Sequence, residues 1–301
     1  MEVTSKFQKF WKGYLRKRSI ATFVFILPLF SVPDPKVLLE FGGIAFVLFT
    51  TTVIAEILEQ KHGYLYSETL LVLGMPMGMV GVANGLVGVF GAYSETTIEI
   101  DVAGIGISAY FMLMTIMYGI LTSAVGFVLA DKNASVNLKL PISLPIFCLT
   151  FFIFCSMLAI ALSFGPGFSG TLSRFPVILT GGLIIAFVLA RKNTGLAENL
   201  ADASLATIVM GITISIVTLY SNFGPSSDYN FIEPHVFFQN TNYANYCLLY
   251  GASLYVLSFL LSLRTNEVSD INFIGKNWHM LEAFSFYVFM TLAAPSVFEL
   301  V

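Results

Sequence analysis

The amino-acid sequence predicts an all-α integral membrane protein with about nine transmembrane helices, and three observations support this. Of its 301 residues, 56% are hydrophobic and 11% are charged, whereas a soluble globular domain carries about 25% charged residues. The apolar residues are grouped in blocks of roughly 20, the length that crosses a hydrocarbon core as a helix. The net charge of −3 and the pI near 5.6 give no generally basic surface. Soluble enzymes, nucleic-acid-binding proteins and secreted disulfide scaffolds are therefore excluded.

Nine apolar segments follow one another along the chain. Each is bounded by Pro, Gly, Asn or charged residues, as expected where a helix leaves the membrane. The segments are Ser19 to Val32, Val37 to Ile57, Thr69 to Ala92, Val102 to Ala130, Ile142 to Phe164, Phe175 to Ala190, Leu205 to Tyr220, Tyr243 to Leu263 and Trp278 to Val297.

The distribution of Lys and Arg decides the predicted topology. If all nine segments cross, one side of the membrane holds thirteen of these residues and the other side only Lys36 and Arg174. If the first segment did not cross, this bias would vanish. Because cytoplasmic loops carry the excess of Lys and Arg, we expect the N-terminus in the cytoplasm and the C-terminus outside.

Landmarks of the first four spans recur in the same order in the next four. Gly42-Gly43 is followed directly by the residues I-A-F-V-L, and Gly181-Gly182 is followed by the same five residues after a gap of two. A Tyr-Gly pair in span four also recurs in span eight. Each block has an even number of crossings, so the repeat is parallel, which disfavours inverted-repeat transporter folds. The predicted organisation is a basic amphipathic tail (1–18), a four-helix unit (19–133), a second, degenerate four-helix unit (134–264) and one C-terminal transmembrane helix (265–301).

Small residues form a stripe along one face of span three and another along span four, because their spacings are three and four. One interpretation is close packing of helix backbones. The other is that the stripes face a partner helix or line a narrow polar ion pathway that includes Thr115, Thr122 and Asn84. The stripes consist of Gly74, Gly78, Gly81, Gly85 and Gly88 in span three, and of Thr115, Gly119, Thr122 and Gly126 in span four.

Polar chemistry inside the spans is sparse. An amide such as that of Asn84 is costly in the membrane unless it is bonded, so we expect Asn84 to bond to another helix or to an ion. No predicted span has an ionisable residue at its centre, so any coupled ion movement needs a carboxylate from another subunit. No catalytic set and no metal-ligand spacing is present, so we expect no enzyme activity, no metal and no cofactor.

Several of these motifs resemble the MotA/TolQ/ExbB proton-channel family, most closely the flagellar stator A subunit. The stretch from Gly78 to Val87 is similar to the family's third helix. An acidic loop ending in Asp101, followed by T-I-M-Y-G at Thr115 to Gly119, is similar to its fourth. Asp34 to Gly43 and Arg174 to Gly182 both look like the turn that leads into its second helix. The resemblance covers residues 19–133 and, more weakly, 142–264.

The resemblance implies a ring of A-type subunits around the helix of a single-span partner whose intramembrane Asp takes the ion. Of the family's three ion-path hydroxyls only one carries over, to Thr115, because Ile116 and Val82 stand where the others would be. The family's large cytoplasmic domain is reduced here to about Glu56 to Glu68. A rotor-pushing stator is therefore not expected.

The predicted function is that of a membrane subunit of a proton- or sodium-driven energy-transducing complex in a bacterial inner membrane. It would form the ring or scaffold around the Asp-bearing helix, as a homo- or hetero-oligomer. Two alternatives stay open: a structural or assembly subunit without ion conduction, and a small-molecule transporter. We expect the tail from Lys6 to Arg18 to lie on anionic lipid. The loop from Asn222 to Asn242 is expected to be an interfacial loop or a docking surface, and no nucleic-acid partner is expected.

Overall fold

The computed structural model describes residues 41–62, 66–94, 102–130, 141–163, 174–221, 234–267 and 271–298. These ranges form eight helices and contain no strand, so the all-α prediction is confirmed for them. Each of the last eight predicted spans coincides with one helix. The basic tail and the first predicted span, Ser19 to Val32, lie outside the described residues.

The first helix, α1, is continuous but changes register. A π-helical segment, Ile44–Phe49, joins Phe41–Gly43 to Thr50–His62. After this segment the hydroxyls of Thr51 and Thr52 donate to the carbonyls of Val47 and Leu48 at 2.5 and 2.6 Å. The eight helices are α1 (residues 41–62), α2 (Tyr66–Ser94), α3 (Val102–Leu129), α4 (Leu144–Ser163), α5 (Arg174–Ala190), α6 (Leu196–Ser221), α7 (Pro234–Thr265) and α8 (Phe273–Phe298).

Six of these helices are long and apolar enough to cross a membrane, namely α1, α2, α3, α4, α6 and α7, and α5 is apolar but shorter. A bundle of this composition agrees with a membrane location. α2 is almost wholly enclosed by other helices, whereas α4 exposes most of its length. The bundle is therefore built around α2.

Two helices begin well before the apolar segments that predict them. α6 begins at Leu196 rather than Leu205, and α7 at Pro234 rather than Tyr243. The predicted outer loop from Asn222 to Asn242 is therefore wrong over residues 234–242, which are helical. Pro234 suits the first position of a helix, where no backbone N–H is needed.

Tertiary contacts explain why the polar start of α7 is helical. Asn245 is fully buried, and its Oδ1 accepts a hydrogen bond of 2.6 Å from the hydroxyl of Tyr287 on α8. Asn245 also donates to Oδ1 of Asn242 at 3.4 Å. A hydrogen-bond partner on another helix offsets the cost of burying an amide. The sequence pattern does not identify that partner.

The helices pack around a row formed by α3, α2, α7 and α6. In this row α3 packs on α2, α2 on α7, and α7 on α6. α1 lies against α2 and α3, α4 against α1 and α7, α5 against α6 and α7, and α8 against α6 and α2. The enclosed core follows the two central helices and includes Leu73 and Met77 of α2 and Leu248 and Val256 of α7.

Several basic residues lie together at one end of the bundle. Arg264, at the end of α7, donates to the carbonyl of Ile142, just before α4. Asp202, near the start of α6, pairs with Arg191 after α5 and with Lys276 at the start of α8. We call this the basic end.

The described helices of the two predicted four-helix units have the same pattern of contacts in two respects. In each, the third and fourth spans form a packed hairpin, α2 with α3 and α6 with α7, and the second span, α1 or α5, contacts both helices of that hairpin. The hairpins meet through α2 and α7, which are not equivalent helices. The duplication itself stays a prediction.

The α7–α8 connection is fixed by an aromatic cluster. The ring of Phe273 packs edge-on against Tyr255 and Phe259, with ring centroids 5.6 and 5.3 Å away. The hydroxyl of Tyr255, a fully buried residue, donates to the carbonyl of Phe273 at 2.6 Å. This contact holds the start of α8 against α7.

We predict that Tyr255→Phe lowers the free energy of unfolding by about 1–2 kcal/mol, because a buried carbonyl loses its donor while the ring remains. The measurement is thermal or denaturant unfolding of the purified protein in detergent. Tyr246→Phe is the matched control and should change stability less. Equal stability of Tyr255→Phe and the unaltered protein would contradict the assigned hydrogen bond.

Candidate functional site

The glycine faces predicted in spans three and four meet each other at the interface between α2 and α3. A Cβ atom placed on Gly78 would lie 3.0 Å from Cα of Gly119, and one on Gly119 would lie 2.8 Å from Cα of Gly78. A Cβ on Gly81 would lie 2.5 Å from Cβ of Thr115. The two backbones therefore touch where only glycine leaves room.

This close contact continues toward both ends of the hairpin. Every glycine predicted for helix packing or for a partner helix faces the other helix of its own hairpin. Gly74, Gly85 and Gly88 of α2 meet Ser123, Met112 and Ser108 of α3, and Gly126 of α3 meets Ser67 and Leu71 of α2. The glycine face of α2 is thus filled within the chain.

Of the two threonines predicted for an ion pathway, Thr115 lies in the same interface, against Gly81. Thr115 is fully buried, and its hydroxyl donates to the carbonyl of Met112 at 3.0 Å. Thr122 is 3% exposed and donates to the carbonyl of Tyr118 at 2.7 Å. Both hydroxyl hydrogens are used inside α3, so only oxygen lone pairs remain to meet a ligand.

Asn84 lies on a different side of α2, against α4. Its Nδ2 donates to the carbonyl of Ala161 at 2.9 Å. That carbonyl belongs to the last turn of α4, where helix carbonyls lack a partner in their own helix. Oδ1 of Asn84 is buried and has no hydrogen-bond partner among the described residues. The hydrogen bond of Asn84 is therefore made to α4, whereas those of Thr115 and Thr122 stay within α3.

A carboxylate that the sequence pattern places in a loop lies inside a helix. Asp202 falls in the second turn of α6, because α6 begins at Leu196. It pairs with Arg191 and Lys276, and the side chains of Asp202 and Lys276 are 16% and 17% exposed. Arg191 also lies over the ring of Phe187, 5.0 Å from its centroid.

A signal for this cluster exists in the sequence. Ala201 and Ala203, on either side of Asp202, are small, strong helix formers, and both are fully buried in the bundle. The predicted apolar segment begins at Leu205 instead, because the charged residues Glu198 and Asp202 interrupt the hydrophobic run. Of its two partners, Arg191 follows the end of α5 and Lys276 lies on α8, and only the fold identifies them.

Further contacts tie the basic end together. Oε2 of Glu267, beyond the end of α7, accepts a hydrogen bond of 3.1 Å from the backbone N–H of Ala197 in the first turn of α6. The hydroxyl of Ser258 on α7 donates to the carbonyl of Ala197 at 2.7 Å. A carboxylate at a helix N-terminus stabilises that helix, so α6 and α7 are clamped where the charges cluster.

Comparisons with protein-family models, with curated proteins and with solved structures find no match. Within the described ranges, no group of three or more His, Cys, Asp or Glu side chains could hold a metal ion.

We predict that Gly119→Ala lowers the free energy of unfolding by about 1–3 kcal/mol, because the new methyl group meets backbone atoms of α2 that cannot rotate away. Gly182→Ala on α5 is the control, since no atom lies within 4 Å of its Cβ position. The control should be neutral or more stable by up to about 1 kcal/mol, from helix propensity. Similar losses for both variants would refute the α2–α3 contact.

We predict that Asp202→Asn lowers the free energy of unfolding by about 1–3 kcal/mol, because two cations lose their shared partner in a partly buried site. The loss should be smaller when Lys276→Met is already present, as a double-mutant cycle in unfolding experiments measures. Lys192→Gln, at an exposed neighbouring position, should have little effect. Strict additivity of the two substitutions would argue against the ion pair.

Proposed function

We propose that this protein is a membrane-embedded structural subunit that associates with other transmembrane helices through α5. One observation carries the proposal. The glycines of α2 and α3 pack against the other helix of their hairpin, whereas the Cβ positions of Gly181 and Gly182 have no atom of another described helix within 4 Å. Within the described ranges, the chain thus uses one set of small-residue faces for its own packing and leaves another open.

The open face of α5 has the composition of a helix-packing face. Gly182, Ala186 and Ala190 are spaced four residues apart, so they lie on one side of the helix, and all three are exposed. Ile178 and Ile185 flank them and are 71% and 60% exposed. Inside a bilayer such small-residue stripes let a second helix approach closely, and van der Waals contact then drives association.

The length of α5 gives a second reason for association. α5 has 17 residues, at the lower limit of about 17–25 for a membrane-spanning helix. A short hydrophobic helix matches a thicker bilayer by local thinning or by oligomerising. A neighbouring helix on the face of Gly182 would shield α5 from that mismatch.

The proposed location is a bacterial inner membrane with the basic end in the cytoplasm. Arg191, Arg264 and Lys276 all lie at that end, which supports the orientation derived from the positive-inside rule. The same orientation puts the N-terminus in the cytoplasm and the C-terminus outside.

An ion-driven complex with an Asp-bearing single-span partner is the second candidate function. It rests on the resemblance to the proton-channel family and on one structural feature. Among the three predicted ion-path residues, Asn84 keeps a buried oxygen without a donor. Because α3 already occupies the glycine face of α2, a partner helix cannot bind there. It would have to bind at another face, such as the one on α5.

We predict that Gly182→Leu weakens association of the subunit without lowering its own stability, because the larger side chain blocks close helix approach but meets nothing within the chain. The measurement is native mass spectrometry after mild-detergent extraction from the original membrane. Val188→Leu, off the small-residue face, is the control. Co-purification of a single-span protein with an intramembrane Asp would favour the ion-driven candidate. A monomer, or a complex insensitive to Gly182→Leu, would reject association through α5.

A further inference from the structure

The contacts of the α2–α3 hairpin recur in the α6–α7 hairpin at constant offsets along the chain. A Cβ atom on Gly119 of α3 would lie 2.8 Å from the carbonyl oxygen of Gly74 on α2. A Cβ atom on Gly251 of α7 would likewise lie 2.8 Å from the carbonyl oxygen of Ser204 on α6. The offset is therefore 132 residues from α3 to α7 and 130 residues from α2 to α6.

Two further contacts have the same offsets. A Cβ atom on Gly81 of α2 would meet Cβ of Thr115 on α3, and one on Gly211 of α6 would meet Cβ of Cys247 on α7. Residues at these offsets therefore occupy equivalent positions in the two hairpins. The remaining contact joins Gly126 to the carbonyl of Ser67 in the first hairpin and Ser258 to the carbonyl of Ala197 in the second.

The side of α2 that points away from α3 is buried, but the equivalent side of α6 is exposed. Val80 and Val87 each follow a glycine of the α3-facing stripe by two residues, which is about 200° around a helix of about 3.6 residues per turn. Both are 0% exposed, and α7 packs extensively on α2. Their equivalents on α6, Met210 and Val217, are 42% and 61% exposed.

The reverse holds for the other two helices. On α7, Ala252 and Leu260 point away from α6 and are 0% exposed. They belong to the same core cluster as Val80 of α2. Their equivalents on α3, Ile120 and Val128, point away from α2 and are 49% and 51% exposed. α3 therefore exposes the side that is buried on α7.

The row α3, α2, α7, α6 thus ends in the two unpaired halves of one interface. The interface inside the row joins α2 to α7. At the ends of the row, α6 presents the side equivalent to that of α2, and α3 presents the side equivalent to that of α7. Among the described helices, none occupies these two outer sides of the row.

The directions of the helices allow the two halves to meet in one membrane. α6 begins at the basic end, and so does α2, because Asn277, next to Lys276 on α8, donates to the carbonyl of Val72 at 3.1 Å. α3 and α7 both end at the basic end. α6 of one molecule and α3 of another are therefore antiparallel when both molecules have the same orientation, as α2 and α7 are within the chain.

We propose that a second copy of this chain packs its α3 on the open side of α6, in the way that α7 packs on α2 within the chain. Both sides are apolar at Ile120, Val128, Met210 and Val217, so van der Waals contact between the helices stabilises the association in lipid. Because two different sides meet, the contact is heterologous and repeats from copy to copy, which gives a ring if it closes. The proposal does not rest on association through α5.

The test substitutes one exposed residue on each side in the full-length protein. Met210→Trp enlarges the α6 side and Ile120→Trp the α3 side. Each should weaken self-association about tenfold or more, because a larger side chain disrupts a close-packed interface. Native mass spectrometry after mild-detergent extraction measures the oligomers. Phe152→Trp on α4, at a residue that is 69% exposed, is the matched control and should leave them unchanged.

A mixing experiment identifies the heterologous arrangement. Met210→Trp molecules keep an intact α3 side, and Ile120→Trp molecules keep an intact α6 side. Neither variant alone should associate, whereas an equal mixture of the two, with tags of different mass, should form one-to-one dimers and nothing larger. Thermal unfolding of each variant in detergent should match that of the unaltered protein, because both positions are exposed.

Three results would overturn the proposal. The first is an unaltered protein that is monomeric, and the second is a dimer formed by one tryptophan variant alone, since that dimer would join two identical sides. The third is self-association that Gly182→Leu abolishes but neither tryptophan variant changes, which would assign the assembly to α5. Conversely, association that is sensitive to both tryptophan variants and insensitive to Gly182→Leu would support this contact and reject association through α5.

Discussion

The contact between the backbones of α2 and α3 is the constraint on which the rest of the bundle depends. Because a Cβ atom on Gly78 or on Gly119 would lie only 3.0 or 2.8 Å from Cα of the other glycine, the two helices approach more closely than helices with larger side chains can. α2 then has its other sides available for α7, α1, α4 and α8. In a bilayer, helix association is driven by van der Waals packing together with interhelical hydrogen bonds and lipid entropy, so close contact of this kind contributes to stability.

Polar contacts between helices fix the positions that apolar packing leaves free. At the basic end, Asp202 joins the end of α5 to the starts of α6 and α8, and Glu267 ties α7 to α6. Toward the opposite end, Asn84 caps the last turn of α4. Each of these groups would be expensive in lipid without its partner, so each specifies one arrangement of the helices over others.

The functional proposals follow from a distinction between filled and open surfaces. The small residues on α2 and α3 pack against each other's helix. The Cβ positions of Gly181 and Gly182 on α5 have no atom of another described helix within 4 Å. A groove between α6 and α8 is likewise not filled by the described residues. The spacing of small residues along a helix therefore does not predict what the stripe contacts, because the same spacing occurs at an internal packing face in one helix and at an exposed face in another.

The sequence by itself determined the class of protein and the positions of eight helices, because a block of about 20 apolar residues has few alternatives to a membrane helix. It also identified the glycine faces, since spacings of three and four define a helix face without reference to any neighbour. Only the tertiary structure decided what those faces meet, where α6 and α7 begin, and that Asp202 belongs to a helix. The physical reason is that a polar residue in lipid needs a hydrogen-bonding or charged partner, and that a glycine face takes its role from the surface it meets. The groups that Asn84 and Gly119 meet lie on other helices, as does Lys276, one of the two partners of Asp202.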